Sequence, residues 1–443
     1  MITLKYYCIG IKGAGMSTLA NILFDLGNEV SGYDDSRHYK FTEEGLNKRG
    51  IEIFYEAHDM DPDTIVTYSK AFSTDHPEIK RVIELGLKVV PYNEVVGEVT
   101  RKFETVGVNG THGKTTTSLL ISHIIKNTLG CSYFVGDGTG YANPNDKIFV
   151  IESDEYNKHL LAYSPFISVL TNVELDHTEC YPGGIEEIKD TFRIFGNKAN
   201  FVVACGDDAN IRDIKFDKSV VYYGFNDNND VIARNVVLSD KGSSFDVYID
   251  NDLFGHFELP LFGKHMILNS LAAIYVCKYY GISVDDIISN MKTFKGAKRR
   301  FKEKVYDDIV IIDDYAHHPT EIKVTLDAAR QKYPNKKIVA IFLPNTYSRT
   351  EALLSDFIEC LKGADKAFVM DIYCDREKAS DYPGVSSDSI IAGVPGSEKV
   401  SVETVDKLLE YSDSVMCFMS CTNIYIILEK YEELLKERNK VSI

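Results

Sequence analysis

The stretch VGVNGTHGKTTTSLL, residues 106–120, decides how this chain is read. An apolar run leads into a glycine-containing turn, and Lys114 and Thr115 open a segment with helical character. Strand, turn and helix in that order make a phosphate cradle. Gly110 and Gly113 let backbone N–H groups face inward, Lys114 supplies a cation for the β- and γ-phosphates, and Thr115 offers a hydroxyl to Mg²⁺. The strict spacing of such loops puts a glycine where Val108 stands, whereas Gly107 is one residue early and Gly110 two residues late. The parts that act on phosphate are all present. Gly110, Thr111, His112, Gly113, Lys114, Thr115 and Thr116 are therefore the candidate ATP-binding residues.

Two further apolar runs end in acids. KIFVIESDE (147–155) terminates in Glu152, Asp154 and Glu155, and FISVLTNVELDH (166–177) in Asp176 and His177. Carboxylates delivered to strand ends beside a phosphate loop suit Mg²⁺. His177 is an unusual ligand for that ion, because imidazole suits zinc or iron better. No Cys/His spacing suits structural zinc.

Working outward, the first hundred residues alternate apolar and amphipathic stretches. YYCIGI (6–11) reads as a strand, MSTLANILFDLG (16–27) as a helix and EVSGYDD (29–35) as the next strand. The turn GIKGAGMS carries Gly10, Gly13 and Gly15 in the order GxxGxG, not the GxGxxG of a nicotinamide-binding turn. It still brings N–H groups and a helix N-terminus to a diphosphate, and Asp34 at the end of the second strand can hold a hydroxyl. A second alternation starts at FETVGVNG (103–110) and a third near DDIVIIDDYAHHPTE (307–321), each after a charged linker. The fold predicted is α/β in three domains: a Rossmann-like N-terminal domain (1–101), a central P-loop ATPase-type domain (102–299) and a Rossmann-like C-terminal domain (300–443). Period-two alternation in 236–263 predicts an antiparallel β portion in the middle domain.

Composition bounds the function. The 443 residues exceed a single core at about 150 residues per domain. Hydrophobic residues are 44% and charged residues 26%, the balance of a soluble globular chain. A net charge of −17 repels nucleic acid and anionic membranes, so neither is expected as a partner. No apolar run approaches the roughly 18 residues of a membrane span, the N-terminus lacks a signal pattern, and nine cysteines stand singly without a CxxC pair. A cytoplasmic location with reduced thiols is expected.

GTHGKTTT, ESDEY, TNVELDH, GKHMILNSLAA, GAKRRF, DDYAHHPTE and YSRT occur in an order and spacing that resemble the Mur ligase family, over residues 6 to 390 or so. The GIKGAGMS start and the HHPTE segment resemble the members that act on UDP-N-acetylmuramate. The resemblance implies an ATP- and Mg²⁺-dependent ligase that joins L-alanine to the carboxylate of that nucleotide sugar through an acyl phosphate. A monomer or weak homodimer is expected. By resemblance the catalytic set is Lys114, Glu152, His177 and Arg300. Thr115 and Glu152 hold one metal ion and His177 belongs to a second. Asn269, Arg300 and Asp314 contact ATP, while Gly13, Gly15, Met16, Ser17 and Asp34 bind the UDP part. Tyr315, His317 and Arg349 cradle the amino acid.

The chain departs from the family pattern at Tyr156–His159, where a Ser-Asp-Gly-Ser run is common, and at Asn345 and Thr346, where His-Arg is common. The loss of an arginine leaves glycine, serine or alanine open as the amine. A recycling ligase that adds a preformed peptide to the same nucleotide sugar shares nearly every motif, and a non-catalytic nucleotide-binding regulatory protein is the alternative from another class.

Overall fold

The computed structural model describes residues 3–69, 72–136, 138–374 and 377–441. Among them are three β-sheets, whose inner strands, such as Glu104–Asn109, Ile148–Glu152, Lys337–Phe342 and Ser414–Met419, are short apolar runs. Such runs are apolar on both faces, which is what a parallel strand covered by helices on each side requires.

The first sheet has five parallel strands in the spatial order Glu52–Phe54, Glu29–Tyr33, Lys5–Ile9, Ile65–Tyr68, Lys88–Pro91. The order reverses beside Lys5–Ile9, so a crevice opens at the carboxyl end of that strand. The strand stops at Ile9 rather than Ile11 because Gly10 turns the chain at φ 80°. The helix begins at Ala14, two residues before the apolar periodicity starts, with Gly13 as its N-cap, and ends at Asp25.

The central sheet has ten strands. Glu104–Asn109, which leads into the phosphate loop, lies between Ile148–Glu152 and Ile167–Leu170, and all three are parallel. Their carboxyl ends therefore bring the phosphate loop, the ESDE acids and the NVELDH loop to one rim. Helices Lys114–Lys126 and Lys264–Tyr279 pack on each other beside it. The antiparallel portion is present as Val231–Ser239, Gly242–Ile249 and Asp252–Leu259, with alternating burial along Gly242–Ile249.

The third sheet has six strands, five parallel and one, Lys302–Tyr306, antiparallel at the edge. The ends of Ile309–Asp314, Lys337–Phe342 and Ser414–Met419 lie side by side and point Tyr315–His318, Asn345–Arg349 and Ser420–Thr422 toward the central rim.

The interfaces between these sheets differ in kind. One apolar cluster runs from Ile11, Met16 and Leu19 of the first sheet to Leu120, Ile124 and Phe134 of the second. The contact is tight: a Cβ on Gly140 would sit 2.4 Å from Thr18 Cγ2. The third sheet keeps its own clusters on its two faces and meets the centre mainly through polar contacts, such as Gln331 with Gly263, Ser239 and Gly242, beside the Phe262–Phe301 ring contact at 5.8 Å.

Gly97, in helix Tyr92–Thr100, allows a further close approach: a Cβ there would lie 2.3 Å from the Ala162 carbonyl oxygen. Gly97→Ala should lower stability by about 1–3 kcal/mol, the usual cost of overpacking. A urea midpoint identical to that of the parent chain would show that the two segments part freely.

Candidate functional site

The phosphate loop is held in shape by backbone conformation and by hydrogen bonds within the chain. Gly110 (φ 126°) and Gly113 (φ 80°) take conformations that side chains rarely adopt, and a Cβ on Gly110 would strike Thr171 Oγ1 at 2.2 Å. The loop is fastened to the neighbouring Thr171–Glu174 segment. Thr111 N–H donates to the Asn172 carbonyl (3.1 Å), His112 N–H to Asn172 Oδ1 (2.8 Å), and Thr171 Oγ1 to the His112 carbonyl (2.6 Å). Thr111 Oγ1 accepts from Glu174 N–H at 2.9 Å. Thr111 and His112 are thus largely engaged within the protein. The first N–H groups of helix Lys114–Lys126, through Thr116, are those a helix leaves without intrahelical partners.

Lys114 Nζ donates to the Gly110 and Thr111 carbonyls (2.7 and 2.9 Å) and to Glu155 Oε1 (2.9 Å). Burial opposes its charge, but Glu155, Asp154 and Glu152 hold its pKa above the ordinary value. Thr115 Oγ1 donates to Glu152 Oε1 at 2.9 Å, and Glu152 Oε2 accepts from Gly136 N–H at 2.7 Å. Burial raises the pKa of both Glu152 and Glu155 against the pull of Lys114. His177 stands apart from the Thr115–Glu152 pair. Its Nε2 lies 3.9 Å from Glu155 and 3.8 Å from Asp176, and its Nδ1 lies 3.7 Å from Glu179. Its backbone is left-handed, φ 51°, and the Tyr156 ring meets its edge at 5.1 Å. Two oxygen-rich spots, bridged by Glu155, therefore flank one lysine.

Asn269 packs under the loop, its Oδ1 2.9 Å from where a Cβ on Gly113 would be. Arg300 lies over the Tyr315 ring (5.2 Å) and pairs with Glu321 at 3.1 Å, between Arg299 and Phe301, which both have positive φ. Asp314 is buried and accepts from Phe301 N–H and Ala316 N–H at 2.8 Å each. Burial raises its pKa to about 6. His317 Nδ1 lies 2.9 Å from Glu321 Oε2 and 3.0 Å from the Tyr315 carbonyl.

Arg349 does not present a free fork. Its Nε and Nη2 donate to Asp176 Oδ1 at 3.0 and 2.9 Å, leaving Nη1 toward Asn345 Oδ1 (3.5 Å). Burial disfavours the Asp176 carboxylate, yet Arg349 and His177, with His317 and His318 beyond, hold its pKa far below the usual range. Around this pair opens a cavity of about 240 Å³. Asp176 and His177 line it from the central domain, and Tyr315, His317, Thr346 and Arg349 from the third. Cys421 also lines it, its thiol raised to about 11 by burial.

The N-terminal candidates divide. Gly13 and Gly15 sit at the open start of helix Ala14–Asp25, with the Tyr92 hydroxyl 2.7 Å from where a Cβ on Gly15 would be. Met16 and Ser17 are buried, and Ser17 is engaged through its N–H to Gly13 and its hydroxyl to Ala14. Asp34 accepts from Lys12 N–H and Ser36 N–H, so it shapes the turn. Lys12, fully buried and paired with Glu43 at 2.8 Å, is a site residue that no sequence pattern singles out, and the same holds for Tyr92, Glu174 and Cys421. Glu321 does carry a local signal, as third residue of helix Pro319–Lys332 and partner in its capping box with His318.

Comparison with known proteins places the whole chain among related sequences and folds. Three family models match in succession: "Mur ligase family, catalytic domain" over residues 5–104, "Mur ligase middle domain" over 108–277, and "Mur ligase, glutamate ligase domain" over 299–417. A UDP-N-acetylmuramate–L-alanine ligase of Lacticaseibacillus paracasei is 42% identical over 99% of this chain and 100% of its own length. One of Levilactobacillus brevis is 43% identical over 97% of each. The crystal structure of a UDP-N-acetylmuramate-alanine ligase from Thermotoga maritima superposes with a TM-score of 0.78 at 24% identity, covering 99% of this chain and 100% of the other.

Two outcomes follow from the charges. Asp176→Asn leaves Arg349 buried without its partner and should cost about 3–5 kcal/mol of unfolding free energy; a loss below 1 kcal/mol would show that the pair is solvated. His112 lies 3.3 Å from Glu174 and 3.6 Å from Glu321. Burial opposes its charge, but the two carboxylates outweigh it and raise its pKa to about 9. Stability from this imidazolium is complete below its ordinary pKa of about 6.5 and is lost as pH rises through about 9. Unfolding free energy should therefore fall across that window, by up to about 3 kcal/mol, and the fall should shrink in His112→Gln. An equal fall in the variant would assign it to other groups.

Proposed function

The chain belongs to the Mur ligase family, and from that premise we propose that it joins L-alanine to the carboxylate of UDP-N-acetylmuramate with consumption of ATP, in peptidoglycan precursor synthesis. Its full-length likeness to curated ligases of that activity carries the assignment. The cavity around Arg349 and Asp176 supports a small amine: at about 240 Å³ it lies below the roughly 300–1,000 Å³ of pockets for drug-sized ligands. No helix among the described residues is long and apolar enough to cross a membrane. The cytoplasm, where ATP and nucleotide sugars are at hand, is the location proposed.

A carboxylate resists attack by an amine. Transfer of the γ-phosphoryl group to a carboxylate oxygen gives an acyl phosphate, whose carbonyl carbon the amine attacks as phosphate leaves. Both steps gather negative charge on oxygen, and fixed cations and N–H dipoles stabilise such charge best. Lys114 takes this role by exchanging its Glu155 and carbonyl partners for phosphate oxygens. Arg300, beside Tyr315 at the domain boundary, adds a second cation from the third domain.

The residues fit Mg²⁺. Glu155 is buried and Glu152 half-buried, desolvation raises both, Lys114 pairs with Glu155, and Thr115 adds a neutral oxygen. In this reading Thr115 and Glu152 hold one ion, and His177 with Glu155 holds the other. Mg²⁺ supplies Lewis-acid neutralisation of phosphoryl oxygens when bound. Asp176 keeps Arg349 in place, so the amino acid's carboxylate meets the Nη1 side of the guanidinium, whose bond to Asn345 Oδ1 is long at 3.5 Å. Gly13 and Gly15 offer the helix start at Ala14 to the uridine diphosphate.

Phosphate release with ATP, Mg²⁺ and UDP-N-acetylmuramate should depend on L-alanine and be slower with glycine or L-serine. Release with a preformed peptide alone would move the chain to the recycling ligases, and no release with any amine would leave a nucleotide-binding protein. Lys114→Ala should reduce kcat by a factor on the order of 10²–10³, as removal of a charge-stabilising group does, whereas Arg349→Ala should chiefly raise the KM for L-alanine. An unchanged KM would remove Arg349 from the amino-acid pocket.

A further inference from the structure

Three donors meet where the third domain covers the phosphate loop. A nitrogen of His112, a carboxylate oxygen of Glu174 and a nitrogen of His318 all lie within 4.8 Å of one another. His112 belongs to the phosphate loop, Glu174 follows strand Ile167–Leu170, and His318 caps helix Pro319–Lys332 of the third domain. His112 Nε2 stands 3.3 Å, and His318 Nδ1 3.5 Å, from Glu174 Oε2. Donors held about 2.0–2.2 Å from a tetrahedral ion stand roughly this far apart.

The hydrogen bonding leaves room for such an ion. His112 Nε2 is buried 3.3 Å from Glu174 Oε2 with no other partner; His318 Nδ1 accepts from Thr320 N–H only at 3.4 Å, and His318 Nε2 is buried without a partner. His318 is only 4% exposed. Buried imidazole nitrogens left unsatisfied are costly. The surroundings also orient the donors. Glu321 Oε1 lies 3.6 Å from His112 Nδ1, and Thr320 Oγ1 donates to Glu174 Oε2 at 2.6 Å. A carboxylate facing one ring nitrogen keeps the proton there and frees the other for a metal.

We propose that His112, Glu174 and His318 form a binding site for a divalent transition ion of the zinc class, distinct from the magnesium positions, that ties the third domain to the phosphate loop. Two imidazoles and one carboxylate favour zinc over magnesium, which prefers oxygen alone. Because two donors come from the central domain and one from the third, an ion here adds a tie across an interface made largely of polar contacts. Excess zinc therefore slows any cycle that needs the domains to part.

Cobalt(II) is the probe, titrated into the metal-free chain in excess Mg²⁺. Six-coordinate cobalt at oxygen sites absorbs weakly, whereas a four- or five-coordinate nitrogen–oxygen site gives stronger visible bands. One equivalent with such bands, displaced by Zn²⁺, is expected. His318→Gln and Glu174→Gln, each checked for fold by circular dichroism, should lose the bands. Glu321→Gln should weaken binding by about 10–100-fold, and Glu152→Gln should keep both bands and stoichiometry. Bands that survive in His318→Gln, sulfur-to-cobalt charge transfer from one of the nine cysteines, or no visible bands in the parent chain would each overturn the proposal.

Discussion

One lysine among three acids governs this molecule. Lys114 is held by two carbonyls of its own loop and by Glu155, while Glu152 and Asp154 stand close enough to raise its pKa further. Negative charge at that rim exceeds what one ammonium group neutralises, and burial already lifts the pKa of two of the acids. A ligand that brings its own divalent cations and its own phosphate charge resolves both imbalances together. The parallel sheet makes the imbalance possible, because placing Glu104–Asn109 between Ile148–Glu152 and Ile167–Leu170 forces the phosphate loop and both acidic strand ends into one crevice.

The three domains are joined unequally, and that bears on turnover. The first two share an apolar cluster, with glycines at the points of closest approach, and form the firmer platform. The third has its own cores and touches that platform through ion pairs and hydrogen bonds: Arg349 with Asp176, Thr320 with Glu174, His112 with Glu321. Polar interfaces of this kind permit relative motion, which lets substrates enter and completes the catalytic set on closure. The left-handed backbone of Arg299 and Phe301, either side of Arg300, places the strained connection at the entrance to the third domain.

The sheets and the rim were legible in the sequence because their signals are local. A run such as ETVGVN before GTHGKT states strand, turn and helix within a dozen residues, and FVIE ends in its acid on the next strand. The partners of those residues were not legible. Asp176 and Arg349 are separated by 173 positions and Glu174 and Thr320 by 146, so no window of sequence relates them. That distance is why nothing in the sequence shows that Nε and Nη2 of Arg349 are already bound to Asp176. Ser17 and Asp34 show the opposite case: they stand where a ligand contact is expected, yet backbone groups nearby occupy them. Composition predicts which residue types reach a rim, and tertiary packing decides which of them remain available.

The central claim is that this rim activates a carboxylate by phosphoryl transfer before the amine attacks. It is tested most directly with UDP-N-acetylmuramate carrying ¹⁸O in both carboxylate oxygens, incubated with ATP, Mg²⁺ and L-alanine. The account predicts that each molecule of inorganic phosphate released carries one ¹⁸O atom from the carboxylate, found by mass spectrometry. Phosphate free of label, with the amide formed, would contradict it.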